Sequence, residues 1–577
     1  MAIEVLASED CRGVLFRSPD ASPWRLKEML APALPGVRLQ ASAEGLEVPT
    51  FAATALPGAE LDFELHWSPD ASKAIENRGR AKREQPALRS LLASTLDMDA
   101  AQLRALSSDF DPDGRLDLHQ VANVAVLSAP ECFGLCLFDE QGAGKTVSVI
   151  YAFDRLAHLD EIDRMLVVAP KSMVPEWKAD LERFMGPLYT CRTVSGSKAS
   201  KRRALRSGAD VLITNFETVV SLERELKALL RMGGCRSLLV VDESFLVKTP
   251  DAQRTRALRR AREWAGRAFV LCGAPAPNAP TDVVEQISLA DFGLAFEGVE
   301  VPQERQAALP VVRSTLEEKG AFLRSLKRDV LADLPEKQLQ VVQLRFEDRQ
   351  REAYEAALRS LVLDLEATDE EGFRRELTSF MARRTALLQI CSNPAGIVPG
   401  YGEVPAKLAA LDRLLETWVE GSGEKVVIWS YFTKSLKAIV DRYEGRYALV
   451  RYDGSTPVDQ RREAVSRFQH DPATKLFVGN PAAAGAGLTL HAARLAVYES
   501  WSNQAAHYLQ SLDRIHRRGQ ERPVECTFLV CAGSIEETDL EVLRHKERSA
   551  YELLGGPAGP PVTREALLEE LLASLSG

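Results

Sequence analysis

The chain has 577 residues, a net charge of −10, and 45% hydrophobic and 27% charged residues. This is the composition of a globular protein and excludes a disordered or fibrous chain, and the length predicts about four compact units. No apolar run approaches the roughly 20 residues that span a bilayer, and the acidic N-terminus lacks the order of a signal peptide, so we expect a cytoplasmic protein. The net charge argues against nucleic acid unless a local basic surface supplies the cations.

The pattern along the chain predicts five segments. Residues 1–112 form short mixed segments and predict a small α+β accessory domain of unknown role. Over 113–295, continuous Val/Ile/Leu runs alternate with helical patterns, which predicts a parallel sheet covered on both faces. Residues 296–400 predict a helical insertion, 401–545 a second unit of the same plan, and 546–577 a linker-like turn and a tail helix. The expected fold class is therefore α/β, with two parallel-sheet lobes in tandem.

Cysteines and basic clusters carry weaker signals. The nine cysteines are scattered without the paired spacing of a zinc ribbon, which favours buried thiols. Basic clusters lie at 78–83, 198–206 and 254–262. Each by itself favours a solvated helix face over a nucleic-acid contact.

A phosphate-binding motif follows an apolar run in the first lobe. Residues 139–146 are DEQGAGKT, between GLCLF and a helical stretch. A strand, a Gly-containing turn and a helix N-terminus cradle phosphates with backbone N–H groups. Gly142 and Gly144 allow close approach, Lys145 would reach the β- and γ-phosphates, and Thr146 would hold Mg²⁺. Asp139 stands where the usual motif has its first glycine.

Two adjacent acids end a later apolar run. Asp242 and Glu243 follow SLLVV, so they lie at the carboxyl edge of a predicted parallel strand, downstream of the phosphate motif. In such a site one acid holds Mg²⁺ and the other orients or deprotonates the attacking water. We expect Asp242 as the metal ligand and Glu243 as the catalytic residue.

Blocks in order along about 115–545 carry a family resemblance. They are LDLHQ ending at Gln120, DEQGAGKT, LVVAPKSMVPEW (166–177), VVDESFLVKTP (240–250), LCGAPAPN (271–278), FLRSLKRDVLADLPEK (322–337), LLQICSNP (387–394), AGAGLTL (484–490) and QSLDRIHRRGQ (510–520). In order and spacing they resemble the Swi/Snf-like ATPases, the double-stranded-DNA translocase branch of the superfamily-two helicases.

The resemblance implies two RecA-like lobes, ATP and Mg²⁺ as cofactors, and movement along double-stranded DNA. Arg514 and Arg517 are implied to act on the γ-phosphate, adding to catalysis by Lys145 and Glu243. If their segment is helical, their spacing places them on one face. The residues implied to bind nucleotide are Gln120, Gly142, Ala143, Gly144, Lys145, Thr146, Asp242, Gly487 and Gln510.

This sequence departs from the family pattern at three positions. Phe245 replaces the His of DEAH or DESH, Ala274 replaces the Thr of LTGTP, and Arg518 replaces an Ile. The longer stretch at 501–510 is similar to phage and bacterial relatives, and further subunits of a repair, defence or phage system are possible partners. Trp177 is interpreted as a packing residue and His119 as incidental.

Two other functions stay open at this point. One is a non-catalytic clamp that holds DNA in a larger complex, and the other is an RNA-dependent ATPase on the same scaffold. The intact Lys145, Thr146, Asp242 and Glu243 argue against the first alternative. The resemblance to the Swi/Snf-like blocks in particular argues against the second.

Overall fold

The computed structural model describes residues 2–232, 236–276, 279–331, 333–483, 488–502, 504–550 and 564–576. The chain divides into two compact units, Met1–Val330 and Leu331–Gly577. In the described ranges, no helix has both the length and the apolar character that a membrane crossing requires.

The first unit begins with a five-stranded sheet of order β3-β4-β2-β1-β5, in which only the β1–β5 pair is parallel. Alternate residues of β1, such as Ile3 and Val5, are buried in a small core with Leu26 and Leu30. The elements are β1 (Ala2–Ala7), β2 (Gly13–Arg17), α1 (Pro23–Leu30), β3 (Gln40–Ser42), β4 (Gly45–Pro49), α2 (Thr50–Ala53), β5 (Glu64–Trp67), α3 (Pro69–Leu96) and α4 (Ala100–Leu106), with short 3₁₀ turns at Ala31–Ala33, Leu56–Gly58 and Ser107–Asp109.

The same unit continues into a seven-stranded parallel sheet of order β12-β6-β11-β10-β7-β9-β8. Its central strands are buried, apart from Arg164 at the start of β7, as continuous Val/Leu runs require. The elements are α5 (Leu118–Leu127), β6 (Gly134–Leu137), α6 (Lys145–His158), β7 (Arg164–Val168), α7 (Val174–Met185), β8 (Cys191–Thr193), α8 (Lys198–Leu205), β9 (Val211–Thr214), α9 (Phe216–Ser221), α10 (Glu223–Arg231), β10 (Ser237–Val241), α11 (Gln253–Arg262), β11 (Arg267–Leu271), α12 (Asp282–Asp291), α13 (Arg305–Lys319), β12 (Phe322–Leu323) and α14 (Lys327–Val330), with 3₁₀ turns at Gly186–Leu188 and Ser244–Val247.

The second unit holds a six-stranded parallel sheet of order β13-β18-β17-β14-β16-β15. Apolar cores cover both of its faces, and the tail helix α22 buries Leu567 and Leu571 in a third core with α15 and α16. The elements are β13 (Lys337–Leu344), α15 (Asp348–Glu366), α16 (Glu370–Ser392), α17 (Ala406–Leu415), β14 (Val426–Trp429), α18 (Thr433–Tyr443), β15 (Leu449–Tyr452), α19 (Val458–His470), β16 (Leu476–Gly479), β17 (Leu495–Tyr498), α20 (Ala505–Leu512), β18 (Val524–Cys531), α21 (Ile535–Ala550) and α22 (Arg564–Ser576), with a 3₁₀ turn at Pro394–Gly396 and a π-turn at Glu416–Gly421.

The two parallel-sheet lobes and the small mixed N-terminal domain confirm the expected fold class. The range 296–400, expected to be a helical insertion, also supplies an edge strand to each lobe: β12 to the first sheet and β13 to the second. Neither strand has the continuous apolar run of the central strands, because an edge strand is covered on fewer sides.

The N-terminal domain packs on the first lobe through ion pairs, of which Arg78–Glu263 is buried. Arg78 of α3 pairs with Glu263, and Arg12 pairs with Glu285 of α12, which also binds Arg259. Arg78 comes from the basic cluster at 78–83, and Arg259 comes from the cluster at 254–262. The solvated-face interpretation of those clusters is therefore wrong for the arginines that form this interface, whereas Arg203 of α8 stays exposed.

Candidate functional site

The phosphate motif forms a tight loop between β6 and α6. Gly142 and Gly144 have φ angles of +89° and +88°, in the left-handed region that favours glycine. A Cβ at position 144 would lie 2.1 Å from the side-chain nitrogen of Gln120, so a larger residue would displace the Gln120 side chain. Because Gly144 has no side chain to cap α6, the first backbone N–H groups of the helix stay available to an anion.

Helix α5 supports this loop from the side. Gln120 closes a capping box with Asp117 at the start of α5, and its Nε2 donates to the carbonyl oxygen of Ala143 at 3.3 Å. His119 contacts the same carbonyl through Nε2 at 2.8 Å. The interpretation of His119 as incidental is therefore wrong: both side chains hold the backbone between the two glycines.

Asp139, at the position where the usual motif has glycine, anchors the loop. Its carboxylate is fully buried and accepts hydrogen bonds from Asn123 Nδ2 and from the backbone N–H of Ser325, both at 2.7 Å. Glu140 accepts from the backbone N–H of Lys327 at 2.8 Å. The departure from the glycine pattern therefore ties the loop to the segment that follows β12.

Lys145 and Thr146 occupy the first turn of α6, where the motif predicts them. The Lys145 ammonium donates to the carbonyl oxygens of Asp139 and Glu140 at 2.7 and 3.3 Å, so it lies over the loop. Thr146 is half-buried. The lysine charge also acts on Asp242, where it opposes the rise in pKa that burial causes.

The paired acids lie at the end of β10, as expected. Asp242 is buried, and its carboxylate accepts from Trp177 Nε1 at 2.7 Å and from the backbone N–H of Glu243 at 2.8 Å. Burial raises the pKa of Asp242, while the Trp177 hydrogen bond and Lys145 oppose that rise. Glu243 is buried with φ +51°, a strained backbone for a residue other than glycine.

Trp177 is a site residue that the sequence interpretation assigned to packing alone. It is 1% exposed, which fits packing, but its indole N–H also holds the Asp242 carboxylate. A buried Trp N–H usually finds a hydrogen-bond partner, and this was the signal in the sequence that could have suggested the contact. The partner itself lies 65 residues away in the chain and could not be read from local pattern.

The second unit holds the other expected residues. Gln510 is buried on α20, and Gly487 lies outside the described residues. Arg514 and Arg517 follow the end of α20 at Leu512, so the helical condition for a shared face is not met.

A turn brings the two arginines together instead. Both donate to the carbonyl oxygen of Leu488, at 3.3 and 2.7 Å, and Arg517 also binds Thr489 Oγ1 at 2.8 Å. Arg514 is fully buried and Arg517 half-buried.

The cysteines of the described chain are buried thiols except Cys191, which is half-buried. Cys391, Cys531 and Glu536 lie close enough to share a metal ion. Glu536, however, already pairs with the buried Lys407 at 2.5 Å. This cluster is therefore built as an internal ion pair packed against thiols.

A phosphate loop at one strand end, paired acids at the end of a nearby parallel strand, and a second parallel-sheet lobe define a two-lobed nucleoside-triphosphatase. Residues 119–396 match the model of the SNF2-related domain, and residues 406–519 match that of the helicase conserved C-terminal domain. Together the matches span more than half of the chain. The chain belongs to the SNF2-related ATPases with a helicase C-terminal domain, the Swi2/Snf2 family.

Curated relatives are similar over about seven tenths of this chain. The ISWI chromatin-remodeling complex ATPase ISW1 of Saccharomyces cerevisiae is 27% identical, over 71% of this chain and 38% of its own length. Chromodomain-helicase-DNA-binding protein 1-like of Mus musculus is 28% identical, over 70% and 47%. DNA repair and recombination protein RAD54-like of Mus musculus is 28% identical, over 72% and 62%. The chain thus spans less than two thirds of each of these relatives.

Among solved structures, the Sulfolobus solfataricus SWI2/SNF2 ATPase core in complex with dsDNA is 20% identical to this chain. The match covers 77% of this chain and 98% of that chain, with a TM-score of 0.34.

Proposed function

We propose that the chain is a DNA-dependent ATPase that translocates on double-stranded DNA and remodels DNA or protein–DNA complexes. The observation that supports this best is the candidate site of the first unit, where Lys145 begins α6 and the buried Asp242 and Glu243 follow β10. In a protein that only clamps DNA, such a site would lower the stability of the fold without serving hydrolysis, because buried carboxylates destabilise a fold unless they are paired.

The site residues fit ATP and Mg²⁺. No side chain caps the start of α6, and Gly144 places no side chain there, so the backbone N–H groups of the helix can bind a phosphate chain. The backbone of Gly142 and Ala143 forms part of the same phosphate-binding loop. The Thr146 hydroxyl and the Asp242 carboxylate are hard oxygen donors of the kind that Mg²⁺ takes. The ion would neutralise charge on the phosphates when bound.

The remaining roles are also proposals. Glu243 orients or deprotonates the attacking water, Lys145 binds the phosphates, and Gln120 contacts the adenine. Gly487 and Gln510 assist nucleotide binding, and Arg514 and Arg517 supply positive charge to the transition state.

Relatives named for chromatin remodelling and DNA repair favour DNA as the partner over RNA. A motor that passes every sequence should contact phosphates more than base edges. Binding should then weaken linearly with salt on logarithmic axes. The phage or bacterial type and the cytoplasmic location rest on sequence alone and remain part of this proposal.

The deciding experiment is steady-state ATP hydrolysis without polymer and with duplex DNA, single-stranded DNA or RNA. We expect duplex DNA to stimulate turnover most. Lys145→Ala should lower kcat by about 10²–10³ or more, because the phosphates lose a preorganised cation. Lys178→Ala, which removes a half-exposed lysine paired with Glu182 on α7, is the matched control and should keep wild-type turnover.

The alternatives predict different results. A DNA clamp would bind duplex DNA without hydrolysing ATP, and an RNA-dependent enzyme would respond to RNA and not to duplex DNA. Displacement of a third strand from a triplex, with weak unwinding of plain duplex, would support translocation without extensive strand separation. Equal hydrolysis rates with and without every polymer would refute the motor proposal.

A further inference from the structure

Gln286 is a fully buried amide in the middle of α12. Its Oε1 accepts a hydrogen bond from Ser244 Oγ at 2.7 Å. Its Nε2 donates to the carbonyl oxygens of Pro275 at 2.5 Å and Asp282 at 2.7 Å. Burial of a side-chain amide costs free energy of folding unless its oxygen and its N–H groups form hydrogen bonds. In Gln286 both the oxygen and the nitrogen of the amide form them.

One end of this bridge is attached to the catalytic acids. Ser244 directly follows Glu243 and begins the 3₁₀ turn Ser244–Val247. Since Glu243 has a left-handed backbone, its direction depends on contacts made by the residue that directly follows it. The hydrogen bond from Ser244 to Gln286 is such a contact.

The other end is attached to a loop that touches the phosphate loop. Pro275 lies after β11, two residues beyond Gly273. A Cβ at Gly273 would be 2.8 Å from Gln141 Oε1 and 3.0 Å from the Gln141 backbone nitrogen, so the two loops are in close contact. Gln286 therefore joins the turn after Glu243 to a loop packed on the phosphate motif.

The side chain at position 245 cannot make this link. Phe245 is half-buried, and its ring carries no donor or acceptor for a hydrogen bond. The side-chain connection between the acids and the β11 loop comes from Ser244 and Gln286 instead.

We propose that Gln286 is a positioning residue for ATP hydrolysis, which fixes the orientation of Glu243 through Ser244 relative to the β11 loop and the phosphate loop. The inference rests on the role of Glu243 in the proposed function. Gln286 affects the chemical step and not ATP binding, because Gln286 and Ser244 hold Glu243 rather than the phosphates. A misplacement of about 1 Å at a reacting group can cost about 100-fold in rate.

The test compares Ser244→Ala, Ser244→Thr, Gln286→Leu and the double variant Ser244→Ala/Gln286→Leu in the full chain. Steady-state kcat and KM for ATP, nucleotide affinity and melting temperature are measured for each. We expect Ser244→Ala and Gln286→Leu to lower kcat about 10- to 100-fold, with nucleotide affinity near that of the wild type. Ser244→Thr keeps the hydroxyl and should retain most of the activity.

Non-additivity separates positioning from ordinary packing. If both side chains act through one hydrogen bond, the double variant should lose no more kcat than Gln286→Leu alone. Thr255→Val is the matched control, because the buried Thr255 hydroxyl donates to Val247 O, at the end of the same 3₁₀ turn, at 3.1 Å. This control should lower the melting temperature and leave kcat unchanged.

The outcomes distinguish this inference from the function on which it rests. If Glu243→Gln is inactive while Ser244→Ala and Gln286→Leu keep wild-type kcat, Gln286 has only a structural role and the inference is wrong. If Glu243→Gln stays active, the proposed hydrolytic site itself fails. Should Gln286→Leu not fold, the comparison of Ser244→Ala with Ser244→Thr decides, and equal kcat values would overturn the inference.

Discussion

At the scale of single residues, the site depends on side chains that never touch the nucleotide in the proposed mechanism. Asn123 and the backbone of Ser325 hold Asp139, His119 holds Ala143, and Trp177 holds Asp242. Each contact satisfies a polar group that burial would otherwise leave unpaired. Groups that orient ligands in this way are commonly as sensitive to mutation as the ligands themselves.

Trp177→Phe should therefore weaken the use of Mg²⁺. The substitution keeps most of the buried ring but removes the N–H that orients the Asp242 carboxylate, so we expect a loss of about 10- to 100-fold in metal affinity or activity. The Mg²⁺ concentration that gives half-maximal hydrolysis, measured for both proteins, reports this loss.

Trp429→Phe is the control for this loss. Trp429 is also buried, and its Nε1 makes no hydrogen bond within the described ranges. An equal effect of both substitutions would mean that ring packing, not the hydrogen bond, supports the site.

At the scale of elements, turns and helix ends place the functional groups more than helix faces do. The phosphate loop precedes α6, the acids follow β10, and Arg514 and Arg517 lie in the turn after α20. The two arginines do not share a helical face, because α20 ends at Leu512 and their segment is not helical. Their side chains converge all the same, because both donate to the carbonyl oxygen of Leu488.

Arg517→Ala should bind ATP and DNA nearly as the wild type does and hydrolyse ATP slowly. An arginine that stabilises the transferred phosphate contributes about 10³–10⁵ in rate in other enzymes. Arg514→Ala should show a similar loss together with a lower melting temperature, since Arg514 is fully buried and Arg517 is not. Hydrolysis at saturating DNA, with nucleotide affinity measured in parallel, tests this pair.

The double variant extends the same prediction. If the two arginines act as one unit, its loss should be far from additive. Near-normal turnover of Arg517→Ala would mean that Arg517 does not act on the transferred phosphate.

At the scale of the first unit, the N-terminal domain and the first lobe form one compact body. Arg78 and Glu263 have side chains only 5% and 7% exposed, and Arg78 also donates to the carbonyl oxygen of Cys11 at 2.7 Å. Arg12 reaches Glu285, the neighbour of Gln286 on α12. The accessory domain is thus bound to the helix that supports the candidate site.

Arg78→Ala should destabilise this unit by about 3–5 kcal/mol, because Glu263 would keep a buried charge without its cation. Calorimetric melting of the full chain measures the change. Arg25→Ala removes an exposed pair with Glu28, whose side chains are 66% and 70% exposed, and should cost less than about 1 kcal/mol. If Arg78→Ala melts like the wild type, the domain is not held by this pair.

The sequence by itself determined the fold class and the order of the functional blocks. Buried parallel strands have continuous apolar runs, and the phosphate loop and the paired acids have local sequence patterns. Each of these features can therefore be predicted from residues that are neighbours in the sequence. The strands β12 and β13 have weak local patterns and were not predicted. They are strands because they pair with the edge of a lobe sheet, and not because of their own composition.

Only the tertiary structure decided which side chains meet. Trp177 and Asp242 are 65 residues apart, Ser244 and Gln286 are 42 apart, and Arg78 and Glu263 are 185 apart. The periodicities of strands and helices, 2 and 3.6 residues, carry no information about contacts between residues so far apart in the sequence. They follow from the order of parallel strands in the sheet and from the packing of helices on it, where a buried polar group must find whatever partner the fold brings near.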